Sequence, residues 1–240
     1  MNDRVLLGVL TPSSNTRLEP LTARMLADLP EVSAHFSRFR VVEVGLHAVG
    51  QFALDHILDA ARLLADARVG AIVWSGTSGG WLGLNADRAL CAAIEAETGI
   101  PATTSTLALV EAVGARTLGL VTPYPDDMHA AVVANLQAEG VGVVAHRNLA
   151  GTADNWALSC ITTETLAGLV ADVAAAGPAV ISIFCTNLAA ADQVEGWEAR
   201  YGIPVFDSVA LGLWRALDLA GVDPARVARW GALFHAVRPV

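Results

Sequence analysis

The segment Leu7-Gly8-Val9-Leu10-Thr11-Pro12 returns 111 positions later as Leu118-Gly119-Leu120-Val121-Thr122-Pro123. The run from Val69 through Trp74 to Thr77 returns 109 positions later as Pro178 through Ile183 to Thr186. A third match, Thr98-Gly99-Ile100-Pro101 with Tyr201-Gly202-Ile203-Pro204, lies 103 positions apart. Matches in one order at similar offsets mean that a single folding unit is used twice. Unrelated strand-and-turn segments, the competing explanation, have no reason to keep that order and spacing.

Within each half, short aliphatic runs alternate with Ala/Leu-rich stretches of helical period. Strands are expected at 4–10, 38–44, 69–75, before Pro101, 116–121, 141–146, 179–184 and before Asp207. Helices are expected at 16–28, 53–67, 85–98, 105–114, 126–139, 163–175, 189–201 and 208–220. This alternation belongs to the α/β class, with βαβ units around parallel sheets. The continuous apolar run Ala179–Phe184 suits a strand covered on both faces. Two similar lobes are therefore expected, one over 1–114 and one over 115–205, with 206–240 packing back on the first. Ligands bind beyond the carboxyl ends of parallel strands. The chemistry is thus expected in the cleft between the lobes, from the strand ends 11–16, 75–80, 122–127 and 185–188.

Composition narrows the partners. The net charge of −9 and the scattered 15 basic residues argue against nucleic acid, whose phosphates need clustered Lys and Arg. The hydrophobic fraction is 54%, yet no apolar run approaches the ~20 residues of a membrane span. Met1-Asn2-Asp3-Arg4 leads directly into an apolar run without the pattern of a signal peptide, so a cytoplasmic location is expected. Three cysteines without a CxxC pair make no disulfide framework.

The four strand ends share a chemistry. Thr11-Pro12-Ser13-Ser14-Asn15-Thr16 combines hydroxyls with an amide at a helix start, where plain capping is the simpler role. Ser75-Gly76-Thr77-Ser78-Gly79-Gly80 brings hydroxyls and a backbone open to close approach. Thr122-Pro123-Tyr124-Pro125-Asp126-Asp127 brings a phenol, and Cys185-Thr186-Asn187 a thiol, a hydroxyl and an amide. Donors without positive charge suit a small carboxylate. Cys185 ends a buried strand and faces an expected helix start, whose dipole lowers a thiol pKa. It is the candidate acid–base residue, whereas Cys91 and Cys160 read as packing.

Other chemistries fit less well. Gly76-Thr77-Ser78-Gly79-Gly80 satisfies the G-x-S-x-G of serine hydrolases, and Asp207 and His235 follow in the right order, but no oxyanion segment precedes it. Neither nucleotide-binding glycine motif is present. The six histidines are dispersed, so no metal site is expected, and Asp126-Asp127 reads as a dipole partner of its helix.

These strand ends resemble the Asp/Glu racemase superfamily, over nearly the whole chain and most closely its maleate isomerase and arylmalonate decarboxylase branch. The resemblance implies two Rossmann-like lobes related by a pseudo-twofold axis, with one Cys at each mirrored strand end. Pro12-Ser13-Ser14-Asn15-Thr16 is similar to the isomerase branch, in which the Asn contacts a substrate carboxylate. Gly76-Thr77-Ser78, Tyr124-Pro125-Asp126-Asp127 and Cys185 are similar to the decarboxylase branch. This chain departs from the two-cysteine pattern, because Gly76 stands where the first thiol belongs.

By resemblance, Thr77, Ser78, Tyr124, Thr186 and Asn187 hold one carboxylate of a substituted malonate, beside Gly76. Loss of CO₂ from the other leaves an enediolate that Cys185 protonates, with no cofactor. Phe52 and Trp156 are candidate pocket residues, with Pro12, Ser13 and Asn155. The polar Asn155, Gln51 and His47 point to a substituent more polar than an aryl group. Two alternatives remain: an isomerase, racemase or tautomerase on a small dicarboxylate or amino-acid derivative, and a carboxylate-binding protein without turnover. The partner is a small-molecule carboxylate, and the chain a monomer or small homo-oligomer.

Overall fold

Each half of the repeat folds into a four-stranded parallel sheet wrapped by helices. The computed structural model describes residues 4–149 and 154–235. The first half runs β1 (Val5–Pro12), α1 (Leu18–Met25), β2 (Val32–Phe39), α2 (Leu54–Asp66), β3 (Ala71–Trp74), α3 (Gly79–Leu82), α4 (Leu84–Thr98), β4 (Ala102–Thr104) and α5 (Ser105–Val113). The second runs β5 (Thr117–Thr122), α6 (Asp126–Ala138), β6 (Gly142–Asn148), α7 (Asn155–Leu158), α8 (Thr163–Ala174), β7 (Val180–Ile183), α9 (Val194–Tyr201), β8 (Val205–Asp207) and α10 (Ser208–Leu219). The sheet orders are β2-β1-β3-β4 and β6-β5-β7-β8, the same path taken twice.

Local chemistry repeats with the path. Thr104 caps α5 by accepting the Leu107 N–H at 3.0 Å. At the matched position Asp207 caps α10, accepting from Val209 and Ala210 at 2.8 and 3.1 Å. Such caps satisfy amide donors that the first helical turn leaves free.

Three expected elements are displaced. The strand expected at 38–44 is instead β2 at Val32–Phe39. As a half-exposed edge it lacks a strong apolar signal, and its register with β1, Val5 beside Val32, is a tertiary matter. The strand expected before Pro101 follows it as β4, because proline has no N–H for the ladder and contributes only its carbonyl, to Ile72 N–H at 2.9 Å. The helix expected at 189–201 begins only at Val194, after a 3-10 turn at Ala191–Gln193.

The halves meet through α5 against α10 and α3 against α6, and α10 also lies on β3 and β4. One apolar core crosses this junction, joining Val73 and Leu109 to Leu120, Phe184 and Leu213. A second cluster in the first half gathers Leu10, Phe39, Ile57, Ile72 and Trp74. Between the halves Asn135 donates to the Gly80 carbonyl at 2.9 Å. Exposed ion pairs such as Arg24–Asp192 add ~0–1 kcal/mol each, so apolar burial carries the junction.

The repeated Leu-Gly pair has a packing cause. A Cβ on Gly119 would stand 2.3 Å from Val173 of α8 and 2.9 Å from Pro178; on Gly8 it would stand 2.9 Å from Val69 and 3.2 Å from Leu64 of α2. Glycine lets each helix lie directly on the strand. Gly119→Ala is expected to cost about 1–3 kcal/mol, and more than Gly8→Ala, in urea unfolding with an unchanged m-value.

Candidate functional site

The strand ends of the two halves converge on a small cavity of about 30 Å³, room for one or two waters. From the first half Pro12, Gly76, Thr77 and Ser78 line it, and from the second Tyr124, Cys185 and Thr186. Phe52 and Asn155 complete the expected set that reaches it. Val41, Val44, Trp74 and Trp81 line it as well, none of which the sequence reading singled out. For Trp74 a signal existed: residues two apart on a strand share a face, so Trp74 stands beside Gly76.

Asn15 and Asn187 are buried behind the cavity and tie the halves together. The Asn15 amide donates to the Thr186 carbonyl and to its Oγ1, both at 3.2 Å. Its own Oδ1 accepts the Arg17 and Leu18 N–H groups at 2.9 Å, starting α1. Asn187 accepts the Thr16 N–H at 3.2 Å and donates to the Asn155 carbonyl at 2.6 Å. Asn15 thus spends its hydrogen-bonding capacity on protein groups. Ser13 Oγ accepts the Val41 N–H at 3.1 Å, and Trp156 is 57% exposed; neither lines the cavity.

Two segments close over the cavity, 41–52 from the first half and 154–158 from the second. Glu43 and Asp154 form an antiparallel bridge, and the Asn155 N–H donates to the Val42 carbonyl at 3.2 Å. The Asn155 amide reaches Ser14 Oγ at 2.8 Å. Of the three polar residues expected beside the substituent, Asn155 lines the cavity, whereas Gln51 Oε1 accepts from Val42 at 2.7 Å and exposed His47 pairs with Glu43 at 2.8 Å. Apart from Asn155, the wall beside the hydroxyls is aromatic and aliphatic.

The reactive groups are neutral. Thr77 Oγ1 and the Tyr124 hydroxyl lie 2.6 Å apart, with the Cys185 thiol beside them in the same cavity. Full burial raises the Tyr124 pKa well above its ordinary value. Burial also pushes the Cys185 thiol up to about 11, against the lowering effects of the Asn187 N–H, 3.5 Å from sulfur, and of Tyr124. The expected lowering by a helix start fails because α9 begins nine residues beyond the thiol. At neutral pH Cys185 is therefore a protonated thiol, an acid rather than a ready nucleophile. Cys91 is buried in α4 and pushed up to about 12, as packing implies, whereas Cys160 is exposed.

The hydrolase arrangement does not assemble. Ser78 Oγ accepts the Trp74 indole N–H at 3.1 Å, Asp207 caps α10, and no histidine hydrogen-bonds Ser78 among the described residues. The histidines hold a different surprise. His129 bridges Thr122 Oγ1 and His146 Nδ1, each at 2.8 Å, at the base of the Tyr124 loop. Burial and the neighbouring His146 hold His129 down to about 4. The 17-residue separation hid this pair from any local pattern.

A duplicated α/β chain with a lone buried thiol at the strand-end cleft defines a class, and comparison with known proteins supplies the family. The family model for arylmalonate decarboxylase matches residues 7–234. Curated relatives include an arylmalonate decarboxylase from Bordetella bronchiseptica, 30% identical over 95% of each chain. A maleate isomerase from Nocardia farcinica is 31% identical over 91% of this chain and 92% of its own. The solved maleate cis-trans isomerase of Nocardia farcinica superposes with a TM-score of 0.87, covering 96% of this chain and 98% of its own; at 24% identity it bears on the fold. The chain belongs to the arylmalonate decarboxylase family, in its branch shared with maleate isomerase.

Asp207 carries a testable charge effect. Burial raises its carboxyl from 3.8 to about 7, and Oδ2 has no hydrogen-bond partner among the described residues. The folded state binds this proton more tightly than the unfolded chain. The resulting stabilisation is full below pH 3.8 and is lost as the pH rises to about 7. Asp207→Asn keeps an accepting oxygen for the cap and removes the titration. Relative to wild type its stability is expected to rise between pH 5 and 8, by an amount on the order of 2 kcal/mol, seen as a rising Tm difference in circular dichroism melts.

Proposed function

We propose that this chain is a cofactor-independent decarboxylase of a substituted malonate or a related small dicarboxylate, with Cys185 as the proton donor. The observation that carries the reading is a single protonated thiol in a cavity whose matched position in the other half, Gly76, has no side chain. A neutral thiol on one side suits delivery of one proton, whereas two-sided proton exchange or attack by a thiolate needs a second group or an ionised sulfur.

The chemistry follows from the lining. One carboxylate accepts hydrogen bonds from Thr77 and Tyr124 and from the backbone around Thr186. The other lies against Val41, Val44 and Trp81, where an anion is poorly solvated. Breaking the C–C bond releases it as neutral CO₂ and leaves the bonding electron pair on the α-carbon, delocalised into the retained carboxylate. Charge then grows on oxygens that the hydroxyls already address. Cys185 gives its proton to the α-carbon, and the Asn187 N–H and Tyr124 hydroxyl steady the thiolate until water returns a proton. Segments 41–52 and 154–158 part for substrate to enter, since the cavity between them holds only one or two waters.

Isomerisation of a small dicarboxylate is the second reading, favoured by the 31% identity to a maleate isomerase. Incubation of the enzyme with phenylmalonate and, separately, with maleate discriminates the two. Release of CO₂ is expected from the first, with no fumarate formed from the second. Cys185→Ala is expected to lower CO₂ release by at least ~100-fold with the Tm little changed. Fumarate formation without decarboxylation would overturn the reading, and binding of both acids without turnover would make the chain a carboxylate-binding protein.

A further inference from the structure

Gly76 is required by a neighbour and not by its backbone. It is absent from the positive-φ glycines, so its conformation is one that any residue adopts. A Cβ built there, however, would stand 2.2, 2.3 and 2.8 Å from Cζ2, Cε2 and Cη2 of Trp74. The indole fills the volume into which a side chain at 76 would project.

That ring is fixed. Trp74 is 1% exposed, donates its Nε1–H to Ser78 at 3.1 Å and packs on Phe39 at 4.8 Å between centroids. Phe52 meets it edge-on at 6.4 Å. The matched positions of the second half carry the opposite choice, Ile183 and Cys185 for Trp74 and Gly76. One half spends the volume on a large strand residue and has no side chain at the cleft. The other has a smaller strand residue and a thiol.

Trp74 is also a partition. On its far side lies a mostly apolar pocket of about 230 Å³, lined by Leu54, Ile57, Leu82 and Leu90 with Asp87 among them, and open to solvent at exposed Leu54. This pocket and the site cavity share Phe52, Trp74 and Ser78. We propose that Trp74 is the specificity-determining residue of this site, sealing the face opposite Cys185 and setting the largest substituent that fits by walling off the mostly apolar pocket. The inference deepens the decarboxylase reading and, for its reaction outcomes, rests on it.

The ring's steric role is read without turnover. Gly76→Ala is expected to lower the Tm by about 5 °C in the wild-type background and by far less in a Trp74→Leu background. An equal loss in both would show that the indole does not exclude the side chain. If Trp74→Leu does not fold, Trp74→Phe, which lacks the outer ring atoms nearest position 76, takes its place.

Two reaction readouts complete the test. In the Trp74 variant the kcat/KM for 2-naphthylmalonate relative to methylmalonate is expected to rise at least ~10-fold, since the larger ring gains apolar burial in the opened pocket. The enantiomeric excess of the phenylpropionate formed from methylphenylmalonate is expected to fall, because water gains the face opposite Cys185. An unchanged ratio and an unchanged excess in an active variant would overturn the inference and leave the decarboxylase reading standing. If wild type decarboxylates no malonate, that reading fails. Calorimetric binding of phenylacetate and 2-naphthylacetate then decides the partition: a variant that gains at least ~10-fold for the larger acid supports it, and an unchanged preference overturns it.

Discussion

Thr77 and Tyr124 come from different halves of the chain, and their hydroxyls meet 2.6 Å apart inside the junction. A buried neutral hydrogen bond contributes only ~1 kcal/mol net, but leaving either hydroxyl unpaired there costs more than the bond gains. The cleft therefore has a definite register. With Thr77 on Tyr124, Asn15 on Thr186 and Thr16 on Asn187, the strand ends are pinned across the pseudo-symmetric boundary. Everything that makes the cavity a site depends on that registration, which brings Tyr124, Cys185 and Gly76 to one lining.

Duplication explains why the cleft exists, and departure from duplication explains its chemistry. Two copies of one sheet, packed through α5 against α10, bring four strand ends together without any element designed for the purpose. An exact copy would place equivalent groups on both sides. Here Trp74 with Gly76 on one side and Ile183 with Cys185 on the other keep the packed volume in balance while leaving a single thiol. Burial then fixes its protonation state, because taking a thiolate out of water costs more than one N–H and one phenol restore.

The clasp over the cavity is built differently from the floor. Below it the groups are buried strand ends locked by hydrogen bonds across the halves. Above it, segments 41–52 and 154–158 meet through a single antiparallel bridge and a few backbone contacts with partly exposed partners. Val41, Val44 and Leu158 anchor these two segments in the apolar core, while Leu46, His47 and Trp156 face solvent.

The sequence by itself determined the α/β class, the twofold use of one unit, and the matched positions of Cys185 and Gly76, because repeats, apolar runs and strand-end residues are local patterns. It also identified Tyr124, Thr77 and Thr186 as groups at the cleft. What tertiary structure alone decided was which of these face the cavity. Asn15 and Asn187 share the expected composition yet serve as cross-links between the halves, and His129 finds His146 across 17 residues. The direction of the Cys185 shift was also beyond the sequence: a nearby helix start was expected to lower it, and burial raised it. Residue type and spacing are written along the chain, whereas desolvation and side-chain direction arise only when distant segments pack against one another.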